Sequence, residues 1–301
     1  MLDVRRLSLL REVALTGSIT AAARSLGLST PTVSQQLSRL EQEIGVALLE
    51  PAGRGVQLTP IAVELVQHTE RVLEELEAAE ATLLTGRDGL GGAIRVAGFS
   101  TFASGLLPRV ITRLREQHPA LVVEFVQLDP EAAMDELAAR RADLMLADEY
   151  PGFPLRPGRG LVRTLIAREA IRLYPPAGTG HEVSVEDLAA MPWVTEPRTS
   201  EAFQWARTVC RGLGFEATVR FESPELHVHR RLVETGLAAA FLPVHLAEGA
   251  GVPLLAARGL PEDLHRTVYA VTRRGAELRP GVRACLSAIR EAAADPLAGL
   301  G

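Results

Sequence analysis

Residues 18–45 of the chain, SITAAARSLGLSTPTVSQQLSRLEQEIG, carry the pattern of two short helices separated by a tight turn. Ser18 is placed to cap the first helix, because a serine hydroxyl accepts a hydrogen bond from an otherwise unpaired backbone N–H. Gly27 is expected to end that helix, since glycine tolerates the left-handed conformation common at helix ends. Ser29 is placed to cap the second helix, with Pro31 in its first turn, where a missing N–H costs little.

The second of these helices has one apolar and one polar face. Its apolar residues recur at helical spacing and form a stripe made of Val33, Leu37, Leu40 and Ile44. Its polar face presents Thr32, Gln35, Gln36, Ser38 and Arg39. A helix fits the width of the DNA major groove, and amides, hydroxyls and an arginine can pair with base edges or phosphates. An ordinary helical hairpin with a solvated outer face is the alternative interpretation.

The surrounding sequence resembles a known family. Residues 5–62 resemble the winged helix-turn-helix of the LysR-type transcriptional regulators. The matching motifs are Gly17-Ser18, Ala22-Ala23, Ser29-Thr30-Pro31-Thr32-Val33-Ser34-Gln35-Gln36, and Leu40-Glu41 with Gly45. The candidate DNA-binding residues are Ser18, Ser29, Thr30, Pro31, Thr32, Ser34, Gln35, Gln36, Arg39 and Arg54. The run Leu48-Leu49-Glu50-Pro51 replaces the family's Leu-Phe-x-Arg, so one DNA-facing cation is missing.

Composition indicates a globular chain with more than one domain. Its 301 residues, 47% of them hydrophobic, are enough for two or three domains with substantial cores. The charged N-terminus and the absence of a run of ~18 apolar residues predict neither a secretory signal nor a membrane span, and so favour the cytoplasm. The net charge of −5 argues against general electrostatic binding to nucleic acid, so a DNA reader of this kind would depend on placement and dimerisation.

Cysteine and histidine spacings predict no metal site and no cofactor. Cys210 and Cys285 fit neither a metal nor a disulfide spacing, and two buried free thiols are favoured over a redox pair. His227 and His229 diverge from each other whether they lie on a strand or on a helix. The sequence has no Walker-type phosphate loop and no nucleophile elbow, so the chain is not predicted to be an enzyme.

Between the helix-turn-helix and the rest of the chain, the pattern predicts a wing and a long helix. Residues 48–58 are rich in proline and glycine and fit a two-stranded wing, with Arg54 at its tip either reaching DNA or exposed to solvent. Residues 59–85 predict one helix. Its heptad seam consists of Leu58, Ala62, Leu65, Thr69, Val72, Leu76, Ala79 and Leu83. Such a seam favours pairing of two chains, and packing on the same chain is the alternative.

The remaining sequence predicts an α/β architecture. Strands are expected at 93–98, 121–127, 143–147, 161–168, 169–174, 193–194, 217–221, 238–242 and 264–272, and helices at 102–117, 130–141, 185–190, 200–213, 224–235 and 280–294. Strands that alternate with helices imply a parallel sheet covered on both faces. Two crossings, near 162–168 and 266–272, predict a hinged domain of two lobes, and the resemblance implies the same, because the family's effector domain is similar to periplasmic binding proteins.

These elements divide the chain as follows. We expect a winged helix-turn-helix at 1–58, a dimerisation helix at 59–85, a hinge linker at 86–92 and an effector domain at 93–301. Lobe I is expected to comprise 93–165 with 267–294, and lobe II 166–266.

The candidate ligand site lies between the two lobes. Open α/β sheets bind ligands at the carboxyl ends of their strands. Ser100 and Thr101 follow the first strand, where they can form an anion cradle or simply cap a helix, and the family's effector commonly touches this position. The candidate effector-binding residues are Ser100, Thr101, Phe102, Gln127, Leu128, Asp148, Arg198, Thr199 and Ser200. An acidic group such as Asp148 favours a cationic or polar ligand, so the sequence leaves the charge of the effector open.

Two functional hypotheses follow. In the first, the chain is a sequence-specific regulator that binds double-stranded DNA as a dimer and responds to a small-molecule effector; the resemblance also suggests tetramers. In the second, it is a solute-binding or enzymatic α/β protein whose helical head only oligomerises, as the acidic net charge and the missing wing cation would favour.

Overall fold

The head of the molecule is a winged helix-turn-helix. The computed structural model describes residues 2–53, 55–85, 90–156, 158, 160–179, 183–247 and 263–294. The head consists of α1 (Val4–Thr16), α2 (Ile19–Ser25), α3 (Thr30–Ile44), β1 (Leu49–Ala52) and β2 (Gly55–Leu58). The predicted caps are confirmed, because Ser18 Oγ accepts from Ala21 N at 3.1 Å and Ser29 Oγ from Thr32 N at 3.2 Å. The two strands pair antiparallel and form the predicted wing.

One apolar core holds the three helices together. It includes Leu7, Leu10, Ala22, Ala23, Val33, Leu37, Leu40 and Leu48, all of them buried. The predicted apolar stripe of α3 therefore faces inward, except that Ile44 at its end is only half-buried. This orientation leaves the polar side of α3 facing away from the core.

The long helix α4 (Pro60–Thr85) packs partly on its own chain. Ala62 and Thr69 of the predicted seam are buried against that chain, as expected from the alternative in which the helix packs on its own chain. Val72, Leu76 and Leu83 are 41%, 45% and 75% exposed. The predicted seam is therefore split, and only its C-terminal half is open to a partner.

The rest of the chain alternates strands and helices as predicted. Its elements are β3 (Gly92–Gly98), α5 (Ser100–Gly105), α6 (Leu107–Gln117), β4 (Leu121–Gln127), α7 (Pro130–Ala138), β5 (Leu144–Glu149), β6 (Leu161–Tyr174), α8 (Val185–Ala190), β7 (Pro192–Thr195), α9 (Glu201–Gly212), β8 (Thr218–Glu222), α10 (Leu226–Glu234), β9 (Ala240–Pro243), α11 (Val244–Ala247), β10 (His265–Arg273), a 3₁₀ turn (Ala276–Leu278) and α12 (Pro280–Ala294). The single helix predicted at 102–117 is wrong, because the chain breaks it at Leu106, ahead of Pro108.

Two long strands connect the lobes. The main sheet has the order β4-β3-β5-β10-β6-β9, with β3 parallel to β4 and β5, and β10 antiparallel to β5 and β6. In lobe II, β7 and β8 pair in parallel, and Trp193 bridges to Ala239 just before β9. The two extended runs predicted at 161–168 and 169–174 are one continuous strand, β6, which passes from lobe I into lobe II.

Each lobe has its own core. In lobe I, aliphatic residues of β3 and β5 pack under α6 and α12, with Phe102 and Phe125 at a ring distance of 5.9 Å. The core of lobe II is aromatic, and Trp193 lies 5.8 Å from Phe215 and 5.6 Å from Phe241 between ring centroids. None of the helices in the described part of the chain has both the length and the apolar character that a membrane crossing requires.

Charged contacts fasten the head and α4 to lobe I. Arg11 of α1 pairs with Glu70 of α4 and donates to Ala138 O at the end of α7. Arg141, just beyond α7, donates to Ser25 of α2. Further along α4, buried Glu77 pairs with Arg273 at 2.7 Å. These bonds join the helices of the head and α4 to lobe I of the same chain.

Candidate functional site

The outer face of α3 is polar and accessible. Its exposed side chains are Thr30, Pro31, Thr32, Ser34, Gln35 and Arg39, with the cap Ser29 before them. Arg39 forms no ion pair with the residues that the structure describes. A free guanidinium beside amide and hydroxyl groups is suited to phosphates and to guanine and adenine edges.

Three of the predicted DNA-binding residues lie elsewhere or have another partner. Gln36 is half-buried, and its Oε1 accepts from Arg6 Nε at 3.1 Å, so this amide is held against α1. Ser18 is half-buried and is used as the cap of α2. Arg54, which the sequence predicts at the tip of the wing, lies outside the described residues.

The centre of the cleft between the lobes is Arg266, at the start of β10 and 2% exposed. Its Nε donates to Glu169 Oε2 at 2.7 Å, its Nη1 to Asp148 Oδ2 at 3.0 Å and its Nη2 to Thr101 Oγ1 at 2.9 Å. Its guanidinium also lies 5.1 Å from the ring centroid of Phe99. Because β6, β5 and α5 supply these partners, one side chain ties the crossing strand β6 to lobe I.

Acidic groups outnumber the single buried cation in this cleft. Burial is the largest influence on the pKa of Glu169 and would raise it, but the charge and hydrogen bond of Arg266, together with the charge of His245, outweigh burial and lower the pKa. Burial raises the pKa of Glu196 to about 7, and the nearby charge of Asp148 adds to the rise. Burial and Asp148 also raise the pKa of Tyr150 well above its usual value, so this phenol stays neutral at physiological pH. The cleft thus combines a carboxyl that burial makes easier to protonate, Glu196, with the carboxylate of Glu169, which is paired with Arg266.

The predicted lobe I residues lie at this cleft to different degrees. Ser100 is half-buried at the first turn of α5, next to Thr101, whose hydroxyl accepts from Arg266. Phe102 is 2% exposed and packs into the core of lobe I, where a ligand does not reach it without moving that core. Leu128 is half-buried and packs against the apolar cluster under α7.

Two hydrogen bonds join the lobes across the cleft. Gln127 Nε2 donates to Glu225 Oε1 at 2.9 Å, and Ser104 Oγ lies 2.8 Å from His227 Nε2. Both pairs connect lobe I to the start of α10 in lobe II. A ligand that entered between the lobes at this edge would compete with these bonds.

The predicted lobe II residues follow β7. Ser200 caps α9, since its Oγ accepts from Phe203 N at 3.1 Å. Arg198 is exposed, pairs with Glu222 at 3.5 Å and lies over the ring of Phe203. Thr199, between them, is exposed. Of these three, Ser200 is therefore used by the local structure, whereas Arg198 and Thr199 remain accessible.

Sequence reasoning missed the four residues that dominate the cleft: Tyr150, Glu169, Glu196 and Arg266. A signal existed for two of them. Glu169 and Arg266 stand opposite each other in the β6–β10 ladder, and each is a charged residue inside a predicted strand. Opposite charges in the two predicted crossings would have pointed to a buried pair at the hinge.

Metal-binding side chains do not gather in the described residues, where no three His, Cys, Asp or Glu form a group able to hold an ion. His229 bonds Ser223 O instead. Both cysteines are buried and free, and burial raises the pKa of each thiol to about 12.

A winged helix-turn-helix head, a long connecting helix and a two-lobed α/β domain define a DNA-binding regulator that carries a ligand-binding domain. Residues 87–294 match the family described as LysR substrate binding domain, and residues 4–63 match bacterial regulatory helix-turn-helix protein, lysR family. The chain belongs to the LysR family of transcriptional regulators.

Individual relatives agree with this assignment. The chain is 27% identical over 301 residues to a probable HTH-type transcriptional regulator, LrrA, of Synechococcus elongatus, covering 98% of both chains. It is 31% identical over 227 residues to the small neutral protease regulatory protein of Streptomyces coelicolor, covering 72% of this chain and 70% of that one. These relatives are regulators, so the hypothesis of an enzyme with an oligomerising head is set aside.

Solved structures share the fold. Full-length OxyR from Pseudomonas aeruginosa superposes with a TM-score of 0.66 at 20% identity, over 96% of this chain and 95% of that one. Full-length CbnR in complex with its target DNA has a TM-score of 0.54 at 22% identity, over 97% of this chain and 100% of that one.

Proposed function

We propose that this regulator binds double-stranded DNA in the cytoplasm as a dimer, and that a small-molecule effector between its lobes changes how it binds. The observation that carries the proposal is the exposed polar face of α3, fixed by the buried stripe on its other side. The proposed division is a DNA-binding head at 1–58, a dimerisation helix at 59–85, a hinge at 86–92 and an effector domain at 93–301, with lobe I at 93–165 and 267–294 and lobe II at 166–266.

In this proposal the residues of the head have two roles. Thr30, Thr32, Ser34, Gln35 and Arg39 contact bases and phosphates, which their exposure supports. Ser18, Ser29 and Pro31 set where the helices begin and place backbone N–H groups toward phosphate. Gln36 acts through its bond to Arg6, and Arg54 adds a wing contact.

The proposed reading face is tested by a band-shift titration with a duplex that the wild-type protein selects from random sequence. Gln35→Ala with Arg39→Ala is expected to abolish the preference for that duplex and to lower the salt dependence of binding, because a phosphate or guanine contact is lost. Gln117→Ala with Arg115→Ala, an exposed pair of the same types on α6, is the matched control. Equal loss in both variants, or in neither, contradicts the proposed face.

The open half of the α4 seam supports the dimer. Val72, Leu76 and Leu83 form an exposed apolar stripe that a second copy of α4 would cover. Two heads on a two-fold axis read two half-sites, which offsets the weak electrostatic field of an acidic chain. Association into tetramers is proposed through lobe edges, where Val122 on β4 and Phe221 on β8 are 56% and 36% exposed.

The effector is proposed to bind beside Arg266. Ser100, Thr101, Gln127 and Asp148 would supply contacts from lobe I, with Phe102 and Leu128 behind them, and Arg198, Thr199 and Ser200 from lobe II. The bonds that join the lobes support this position, because a ligand that replaces them changes the preference between two lobe arrangements. The surplus of acidic groups favours a ligand that presents hydrogen-bond donors.

A thermal-shift screen of metabolites tests the cleft, because a ligand that prefers the folded state raises the melting temperature. We expect the shift of any hit to be lost in Ser100→Ala with Thr101→Ala. The control, Thr208→Ala with Ser287→Ala, removes a threonine and a serine from exposed helix positions and should keep the shift. A full shift in the cleft variant removes Ser100 and Thr101 from the site.

A further inference from the structure

We propose that lobe II holds a second ligand pocket, separate from the cleft between the lobes, which accepts a small aromatic carboxylate. The cavity has a volume of about 310 Å³ and lies between α9 and the strands β7, β8 and β9. All of its described lining residues fall between 193 and 241. None of Ser100, Thr101, Asp148 and Arg266 contributes to it, and among its described lining residues Arg198 is the one that the proposed effector cleft also uses.

The interior of the pocket is aromatic. Trp193 and Phe241 form one wall and Phe203 of α9 the other, and each is less than 10% exposed. Cys210 lies between them as a neutral side chain, because burial raises the pKa of its thiol to about 12. Flat apolar walls of this kind favour a planar ring, which gains edge and face contacts with the three aromatic side chains.

One buried side-chain oxygen among the lining residues has no hydrogen-bond partner in the described part of the chain. Thr195 is 6% exposed, and its Oγ1 has no hydrogen bond to any residue that the structure describes. A buried hydroxyl without a hydrogen-bond partner is unfavourable, and native proteins rarely leave one unless a bound molecule supplies the missing hydrogen bond. A hydroxyl substituent on the ligand ring would supply the missing hydrogen bond.

The mouth of the pocket is cationic. Arg207 on α9 is exposed and pairs with no acidic group in the described part of the chain. Arg198 lies beside it, shared between Glu222 at 3.5 Å and the face of Phe203 at 5.7 Å. Glu216 at the rim is neutralised by Arg211. An unpaired guanidinium at the entrance fits a carboxylate, whose two oxygens match its planar fork.

The pocket borders the cleft through shared walls. Thr195, Ala206 and Phe241 also line a narrower space that reaches Tyr150 and Glu196. A ligand in the lobe II pocket would contact these shared residues, which also line the space beside the carboxyl of Glu196. Binding in the lobe II pocket would therefore affect the cleft through these shared walls and through Arg198, which the proposed cleft also uses.

The test uses full-length protein and 4-hydroxyphenylacetate, with its amide and with phenylacetate as comparisons. Both tryptophans of the chain, Trp193 and Trp205, lie in lobe II, so their fluorescence reports binding there, and calorimetry gives the affinity. We expect saturable binding of the hydroxylated acid, about tenfold weaker binding of the amide, and about a tenfold loss in Arg207→Gln, as for one charge-assisted hydrogen bond.

Two further variants make the result specific. Thr195→Val should weaken binding of the hydroxylated acid but leave phenylacetate unchanged. Arg220→Gln, at an exposed arginine of β8 outside the described lining, should leave both unchanged. Absence of saturable binding at millimolar acid overturns the proposal. So does equal binding of acid and amide, wild-type affinity in Arg207→Gln, or binding that is lost in Ser100→Ala with Thr101→Ala while Arg207→Gln retains it.

Discussion

Replacing Glu196 by glutamine should stabilise lobe II at high pH and leave it unchanged at low pH. The folded protein holds the pKa of this carboxyl at about 7, against an ordinary value of 4.5. A carboxyl with a raised pKa binds its proton more tightly when folded. The loss of folding stability caused by ionising Glu196 is therefore absent below pH 4.5, grows as the pH rises, and is complete above pH 7. At 1.36 kcal/mol per pH unit, the full penalty is about 3 kcal/mol, which glutamine does not incur.

The measurement is urea unfolding of the full-length protein at pH 5 and pH 8, followed by tryptophan fluorescence. Trp193 precedes Glu196 by three residues, so this signal reports the unfolding of lobe II. Glu186→Gln, an exposed glutamate on α8 of the same lobe, is the control and should behave as the wild type at both pH values. A Glu196→Gln gain that is absent at pH 8, or equal at pH 5 and pH 8, refutes the reasoning.

Three other predictions concern the hinge, the packing of α4 and the dimer. Arg266→Met leaves Asp148 and Glu169 without their cation and should lower the free energy of unfolding in urea by about 3–5 kcal/mol at pH 8, and by less at pH 5. A decrease under ~1 kcal/mol at pH 8 would contradict the buried network. Gly275→Ala places a Cβ 2.7 Å from Glu74 O at a φ of +90°, and should lower the free energy of unfolding by about 1–3 kcal/mol. An unchanged urea midpoint would mean that α4 does not pack on lobe I. Leu76→Glu with Leu83→Glu should give monomers in sedimentation velocity and weaken DNA binding; intact dimers would exclude the exposed α4 stripe from the interface.

Local patterns in the sequence were sufficient for most of the fold. The caps at Ser18 and Ser29, the glycine at Gly27 and the period of the apolar stripe each act over a few residues, so they can be recognised without knowledge of distant partners. The bounds of α4 follow in the same way from Pro60 and an uninterrupted heptad pattern.

The candidate cleft was harder to predict because its centre is built from residues far apart in sequence. Arg266 donates a hydrogen bond to Thr101, which is 165 positions away in the sequence, and no local sequence pattern indicates this contact. Phe102 illustrates the opposite error, since its place beside the predicted cradle suggested a ligand contact, yet its ring is needed by the lobe I core. The split of the α4 seam likewise depends on the docking of lobe I, which the helix sequence does not contain.

The contacts of Arg11 and Arg141 around the end of α7 have a mechanical consequence. They join the head, α4 and lobe I into one unit, to which lobe II is connected by the strands β6 and β10 and by the hydrogen bonds at Gln127 and Ser104. Turning lobe II therefore leaves the head of its own chain at a constant angle to lobe I. In the proposed dimer, what changes is the surface that one copy presents to the next, so the contact between neighbouring copies sets the separation of the two proposed DNA-binding heads.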